Sequence, residues 1–212
     1  MLLACSIFLV WKIMKRKNEL LQTTFAQPVL QVYLEIASLK NLFRQGWLQG
    51  GLKSSACESV ADHSFATAIL AWLIAQEYLP QLDSNKIIKL ALLHEIGEIY
   101  GGDITPNDQV GEHEKFLLEF ASMQQVLSKL PNANYWCGLW EEFEKGKTAE
   151  ARFVKQIDKL EMALQAYIYQ ESNQLQVNGF YASAEKVLED EELKKIFQEI
   201  IEQNERLQKN NH

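Results

Sequence analysis

The chain has 212 residues, of which 47% are hydrophobic and 23% are charged, and its formal net charge is -7. This length is typical of one domain with a sizeable core, and the acidic balance argues against binding to long nucleic acid, which needs a basic surface. A small phosphate ester is compatible with this charge, because a bound cation can supply positive charge locally.

The N-terminus carries an apolar run over residues 2–11, followed by Lys12 and the basic residues 15–17. This run is much shorter than the about 20 residues that span a bilayer, and a secretory signal carries its charges before the apolar run. We therefore assign residues 1–20 to an N-terminal extension and residues 21–212 to a single domain, and we expect no membrane span. The alternative interpretation is a short helix that touches a membrane.

The three cysteines, Cys5, Cys57 and Cys137, are far apart and show no Cys-x-x-Cys spacing. An odd number of isolated cysteines favours neither a disulfide framework nor a zinc knuckle. We therefore expect a reducing compartment, the cytoplasm.

Apolar residues recur with a helical period along almost the whole chain, and no convincing strand pattern occurs. Ser84 and Thr148 are predicted N-caps, and Asn178-Gly179 is a predicted turn. Such a series predicts an all-α bundle around a buried polar centre. The predicted helices cover residues 28–44, 59–78, 85–100, 111–130, 136–143, 149–170 and 185–207.

The most informative stretch lies at the end of the third predicted helix, just after an apolar run. It places His94, Glu95, Glu98 and Asp103 within ten residues. On a continuous helix His94 and Glu98 share one face, because they are four residues apart. Charged groups beside an apolar run are costly to bury unless they are paired, so the stretch predicts a site for a metal or for proton transfer.

Taken singly, each of these residues would be interpreted as a helix cap or a solvated surface position. Two residues on other predicted helices change this interpretation. His63 begins the apolar helix 59–78, and Asp158 lies on or beside the apolar face of helix 149–170. Two histidines with carboxylates are a common ligand set for a divalent metal with an open catalytic position.

These residues stand in an order that resembles the HD-domain metal-dependent phosphohydrolases, and within them the 5'-deoxynucleotidase branch. The general pattern is a His, then a His-acid pair, then an Asp, whereas the RxGW and GDITP motifs are more specific. The family has Asp where this chain has Glu95, whose carboxylate reaches roughly 1.5 Å further. From this departure we expect Glu95→Asp to raise metal affinity or turnover. The matching stretches, between about Leu39 and Tyr169, are LKNLFRQGW, ESVADHS, LALLHEIGEIYGGDITP, LWEEFE and ARFVKQIDKLEMALQA.

The resemblance implies an HD-domain helical bundle around a buried metal site. The cation, Co2+, Mn2+ or a similar ion, would be held by His63, His94, Glu95 and Asp158.

The resemblance also implies roles for residues around that metal. Glu98 would transfer a proton, and Asp103 would act with it by contacting water or the sugar. From the RxGW motif, Arg44 would bind the phosphate and Trp47 would stack on, or wall off, the sugar and base. Without the resemblance, residues 44–47 would be interpreted as a helix C-terminus with a basic last turn and a packed Trp.

The function implied is that of a metal-dependent phosphomonoesterase acting on (deoxy)nucleoside 5'-monophosphates, with the nucleotide as its small-molecule partner. Members of the family are commonly dimers, so a homodimer is an expected assembly. The departure at Glu95 motivates an alternative, a weakened member that binds a nucleotide or a partner protein without turnover. A third option, hydrolysis of phosphodiesters or guanosine polyphosphates, is disfavoured by the RxGW and GDITP motifs.

Overall fold

The computed structural model describes residues 25–172 and 178–210. Within these two ranges the chain forms ten α-helices and two 3₁₀ turns, and contains no β-strand beyond one isolated bridge. The predicted all-α class is therefore confirmed. The helices are α1 (Pro28–Ala37), α2 (Gln45–Gln49), α3 (Val60–Tyr78), α4 (Ser84–Leu93), α5 (Glu98–Gly101), α6 (Glu112–Leu127), α7 (Ala133–Glu144), α8 (Ala149–Glu171), α9 (Asn178–Glu185) and α10 (Glu191–Asn210).

Helices α3, α4 and α8 pack against one another and form the centre of the bundle. Their buried faces consist of small and branched apolar side chains such as Ala71, Leu90 and Ile157, which let the helices approach closely. α3 begins at a capping box, in which Ser59 and Asp62 accept hydrogen bonds from each other's backbone N–H groups. This cap fixes the first turn of α3, from which His63 points into the bundle.

The prediction of one continuous helix over residues 85–100 is wrong, because the structure ends this helix at Leu93 and begins a new one at Glu98. His94 and Gly97, at the two ends of this break, keep helical φ and ψ values. The backbone hydrogen bonds between them are shorter in span than those of an α-helix: the N–H of Ile96 donates to the carbonyl of Leu93, and the N–H of Glu98 donates to the carbonyl of Glu95. In such a tightened turn, residues three apart eclipse. Glu98 therefore lies on the same side of this turn as Glu95, and not on the side of His94 as a continuous helix would place it.

A close approach between two helices accompanies this tight turn. A Cβ atom built on Gly97 would lie 2.6 Å from Cβ of Glu119 and 3.0 Å from its Cα. The backbone at Gly97 therefore sits against α6 at a distance that only glycine allows.

Other predicted boundaries also shift. The helix predicted over 28–44 ends at Ala37, and Arg44 is the N-cap of α2 instead of the end of a helix. The N-cap of α4 is Asp83, whose carboxylate is better placed than Ser84 to accept from the first backbone N–H groups, whereas Thr148 caps α8 as predicted. The turn predicted at residues 178–179 is wrong, because α9 begins there.

The part of the chain that the structure describes contains no helix long and apolar enough to cross a membrane. Cys57 and Cys137 are free thiols, in agreement with the predicted absence of a disulfide between them. The predicted extension over residues 1–20, and Cys5 within it, lie outside the described residues.

Candidate active site

Four predicted ligand residues meet at the centre of the bundle. His63 comes from α3, His94 and Glu95 from the tight turn after α4, and Asp158 from α8. Their candidate ligand atoms all lie within 4.8 Å of one another. The closest are Nε2 of His63 and Oδ1 of Asp158, at 3.1 Å, and the two histidine Nε2 atoms are 3.4 Å apart. The longer side chain of Glu95 therefore remains within the cluster.

The outer nitrogens of both histidines are already engaged. Nδ1 of His63 lies 2.6 Å from a carboxylate oxygen of Glu161, and Nδ1 of His94 lies 2.6 Å from the carbonyl oxygen of Ala91. When each Nδ1 carries the proton and donates it to its oxygen, both Nε2 lone pairs face the cluster, as metal-binding histidines require. This donor set, two imidazole nitrogens and two carboxylate oxygens, suits a divalent cation.

Electrostatics keep the two carboxylates of the cluster ionised. Burial opposes this for Glu95, but neighbouring positive charge, including the Arg44 guanidinium, outweighs it and lowers the pKa of Glu95 to about 2. Burial likewise disfavours the charged form of Asp158, yet Lys159 and His63 bring its pKa below the ordinary value. Burial lowers the pKa of His94, so this ring stays neutral and can donate its lone pair.

His63 behaves differently from His94 while no cation is bound. Burial lowers its pKa, but hydrogen bonds to Asp158 and Glu161 outweigh this and raise the pKa to about 9. A cation that binds at His63 must therefore displace a proton, as is general for metal sites.

Glu98 lies at the cavity wall with no visible partner. Its side chain is buried, and among the described residues its Oε2 has no hydrogen-bond partner. Burial, together with the charges of Glu95 and Asp103, raises the pKa of Glu98 well above its usual value. A buried polar atom without a partner is costly, and with its place on the cavity wall this makes Glu98 a candidate catalytic residue.

Arg44 links the cluster to the loop after α5. Its Nη1 lies 3.1 Å from Oε1 of Glu95 and 3.7 Å from Oδ1 of Asp103. Asp103 in turn accepts a hydrogen bond from the backbone N–H of Gln45. The guanidinium is thus held between two acids at the edge of the same cavity, and Asp103 fixes its position.

Trp47 is buried, and other side chains cover it. Its Nε1 donates to Glu58 at 2.7 Å, the Phe180 ring lies over it at 4.0 Å between centroids, and Tyr169 packs edge-on. Of the two predicted roles, this burial favours a wall over a stacking surface. Phe180, only partly buried, lines the cavity from α9.

All the predicted site residues except His63 line a cavity of about 830 Å³, within the range of small-molecule sites. Three lysines that the sequence analysis did not single out also line it: Lys115, Lys155 and Lys159. Lys115 pairs with Glu119, and Lys159 pairs with Asp158, whereas the ammonium of Lys155 lies 4.4 Å from the centroid of the Phe143 ring. Their charge suits an anionic ligand.

Two of the residues that the sequence analysis missed follow a simple signal. On α8, Lys155 and Glu161 lie three residues before and after Asp158, and residues at this spacing share a helix face. Phe180 had no such signal, because it follows a segment that was predicted to be a turn.

Comparisons with known proteins agree with this arrangement. The chain matches the HD domain over residues 36–201. It is 36% identical to the human 5'-deoxynucleotidase HDDC2 over 148 residues, covering 69% of this chain and 70% of that protein. The Dictyostelium discoideum 5'-deoxynucleotidase HDDC2 is 34% identical over 166 residues, with 73% and 86% covered. Among solved structures, a predicted metal-dependent phosphohydrolase from Magnetospirillum magnetotacticum aligns with a TM-score of 0.68 and 26% identity, over 85% of this chain and 95% of that one.

Proposed function

This chain belongs to the HD domain family, and on that footing we propose that it is a metal-dependent phosphomonoesterase that releases phosphate from (deoxy)nucleoside 5'-monophosphates. The observation that carries the proposal is the set of four candidate ligand residues whose ligand atoms lie within 4.8 Å of one another. Three of these residues line a cavity together with the unpaired carboxyl of Glu98 and several cationic side chains. Similarity to proteins named 5'-deoxynucleotidase over more than two thirds of the chain supports the substrate class.

His63, His94, Glu95 and Asp158 would hold the metal, and Co2+ and Mn2+ are the ions that we propose. A divalent cation in such a site supplies positive charge that polarises a phosphoryl oxygen and makes water more acidic. The cluster suits this ion because two ionised carboxylates offset its charge and both imidazoles present an Nε2 atom.

The substrate phosphate would lie among the cations of the cavity. Arg44 is a planar donor at its edge, held by Glu95 and Asp103, and such a fork matches phosphate oxygens. Lys155 forms no ion pair with a described carboxylate within 4.0 Å; its ammonium rests on the Phe143 ring. It is therefore available to a dianionic monophosphate.

Glu98 would move the proton of the reaction. Its unpaired oxygen lies at the cavity wall, and burial beside Glu95 and Asp103 raises its pKa, which makes its carboxylate a stronger base than that of an ordinary glutamate. The carboxylate would accept a proton from the attacking water and return it to the departing sugar oxygen. The aromatic wall of Trp47 and Phe180 would then contact the nucleoside and exclude water from one side.

The alternative without turnover rests on Glu95 standing in place of Asp. Its ligand oxygen lies within the cluster, which favours the enzymatic reading. A homodimer and a cytoplasmic location stay predictions.

The test is phosphate release from a panel of nucleotides by purified protein with added Co2+ or Mn2+. We expect release from deoxynucleoside 5'-monophosphates, its loss with a chelator, and little from bis(p-nitrophenyl) phosphate, a diester. Asp158→Asn should lose both metal and activity, whereas Glu112→Gln, on the exposed start of α6, should lose neither. If the protein binds metal but releases no phosphate from any monophosphate, the proposal fails.

A further inference from the structure

Two segments of the chain run side by side from the metal-ligand cluster to the mouth of the cavity. One is α2 with its N-cap Arg44, which leads outward to Gln49, and the other is the loop over residues 103–107. They are joined at their inner ends, where Asp103 contacts the guanidinium of Arg44. These inner ends are largely buried, whereas Gln49 and Asn107 at the outer ends are exposed.

A second contact joins the same two segments at their outer ends. Oε1 of Gln49 lies 2.9 Å from Oγ1 of Thr105 and accepts a hydrogen bond from Nδ2 of Asn107, also at 2.9 Å. All three residues line the cavity. A hydrogen bond between two side-chain amides uses the N–H of one and the oxygen of the other, so an amino group and an oxygen remain. In the part of the chain that the structure describes, Nε2 of Gln49 and Oδ1 of Asn107 have no protein partner. We call Gln49 and Asn107 the amide pair.

The two remaining groups of the amide pair match the edge of a nucleobase. One is a donor and the other is an acceptor, held side by side on the cavity wall. Adenine and cytosine present an amino donor beside a ring-nitrogen acceptor, and side-chain amides recognise such an edge through two hydrogen bonds. Guanine and thymine present a carbonyl acceptor beside a ring N–H donor, which the same two groups also complement. A sugar phosphate without a base offers no such edge.

The position of the amide pair along the cavity also fits a base. The substrate phosphate is placed at Arg44 and the metal, at the inner end. Between Arg44 and Gln49 the helical rise amounts to about 7.5 Å, which is comparable to the span of the sugar between a 5'-phosphate and its base. Trp47 lies between these two residues along α2, at the depth where its ring would contact the sugar.

We propose that the amide pair binds the edge of the nucleobase and thereby restricts the enzyme to nucleotides among the phosphate monoesters. The inference rests on the proposed function, because it takes the phosphate of the substrate to lie at the metal. The pair contacts a part of the substrate that does not react, so it acts on binding and not on the chemical step. Every natural base carries a donor beside an acceptor, so the pair distinguishes nucleotides from sugar phosphates without selecting one base.

The first experiment compares phosphate release from deoxyadenosine 5'-monophosphate, thymidine 5'-monophosphate and 2-deoxyribose 5-phosphate. Gln49→Ala should lower kcat/KM for both nucleotides about three- to tenfold, mainly through KM, as expected for the loss of a hydrogen bond to an uncharged group. Its kcat/KM for deoxyribose 5-phosphate should be unchanged. The matched control is Gln124→Ala, exposed on α6 and not part of the cavity wall; it should change none of the three values.

Gln49→Glu separates recognition of the base from a role in holding the loop. The carboxylate can still accept from Thr105 and Asn107, so the contact between the two segments is retained, but it has no N–H to offer a base. This variant should keep the Tm of the wild type and yet lose the preference for nucleotides over deoxyribose 5-phosphate. Because both substrates carry the same phosphate, their ratio cancels the effect of the added negative charge.

Calorimetry measures the same preference without turnover. Deoxyadenosine 5'-monophosphate and deoxyribose 5-phosphate are each titrated into Co2+-loaded Glu98→Gln protein, with and without Gln49→Ala. The added substitution should weaken binding of the nucleotide alone, about three- to tenfold. If the wild type releases no phosphate but this difference is observed, the proposed function fails and the base contact stands. The base contact is overturned if Gln49→Ala affects both ligands equally or neither, or if Gln49→Glu keeps the full preference of the wild type.

Discussion

Nη1 of Arg44 lies 3.1 Å from Oε1 of Glu95, so the residue proposed to bind phosphate and a residue proposed to bind metal form one ion pair. Oε1 of Glu95 also lies 3.4 Å from Nε2 of His94 and 3.6 Å from Nε2 of His63. The longer side chain therefore brings a single oxygen to both the arginine and the histidines.

This geometry predicts that Glu95→Asp weakens metal binding, the opposite of the expectation from the family pattern. Retraction by one methylene withdraws the carboxylate from the cluster and from Arg44 together, and errors of this kind lower affinity by about 10–100-fold. Metal titration with parallel phosphate release measures the effect. Glu144→Asp, an equal shortening elsewhere on the cavity wall, serves as the control and should change affinity little. Tighter metal binding by the Asp variant would show that Glu95 is poorly suited to its place.

Glu98→Gln should abolish turnover while leaving the metal in place. The amide keeps the size of the side chain but cannot accept the proton, and loss of such a group typically lowers the rate by about 10²–10⁴-fold. Elemental analysis and phosphate release on the same preparation separate the two effects. If the variant loses its metal as well, Glu98 is a ligand; if its kcat stays near normal, the proton passes through another group.

Gly97→Ala should destabilise the protein by about 1–3 kcal/mol, the usual range for overpacking. The added Cβ would meet both Cβ and the backbone Cα of Glu119, and the backbone of α6 can yield only by moving the helix. Urea unfolding measures the loss. Gly138→Ala on α7 is the control, because its Cβ would meet nothing within 4 Å and alanine favours the helix by about 0.5–1 kcal/mol. Equal stabilities of the two variants would mean that the turn moves away from α6 at little cost.

Glu119 predicts a specific dependence of stability on pH in the metal-free protein. Burial, only partly offset by Lys115, raises its pKa from 4.5 to about 7. Between these values the folded chain retains a proton that the unfolded chain releases, so the stabilisation is complete below pH 4.5 and is lost as the pH rises to about 7. We expect the loss to be on the order of 3 kcal/mol.

Unfolding of the wild type and of Glu119→Gln with chelator present, at about pH 5 and pH 8, isolates this contribution. The glutamine variant should lose less stability over the interval, because its side chain does not ionise. Glu112→Gln, exposed at the start of the same helix, should follow the wild type. Parallel losses in all three proteins would exclude Glu119 as the source.

The sequence predicted that the four candidate ligand residues would meet, because ligand-type side chains on apolar helices are conspicuous and the motifs around them resemble those of a known family. His63, His94, Glu95 and Asp158 indeed meet in space.

The break at residues 94–97 was not predictable from the helical period. Its φ and ψ values stay helical at both ends, and the contact that accompanies it involves Glu119, on another helix.

The aromatic wall was missed for a related reason. Phe180 lies on Trp47 although the two are far apart in sequence, and nothing near Asn178-Gly179 distinguishes a helix start from a turn. Local patterns report local preferences, whereas this contact is decided by how α9 packs on α8.

The distances along the chain between these partners set the order in which the centre forms during synthesis. His63 and Asp158 are 95 residues apart, and the ring that covers Trp47 comes later still. Chains emerge from the ribosome N-terminal end first, so α3 and the tight turn are exposed before α8 can join them. A nascent chain therefore carries both histidines before Asp158 has been made, and the cavity acquires its wall at α9 later still.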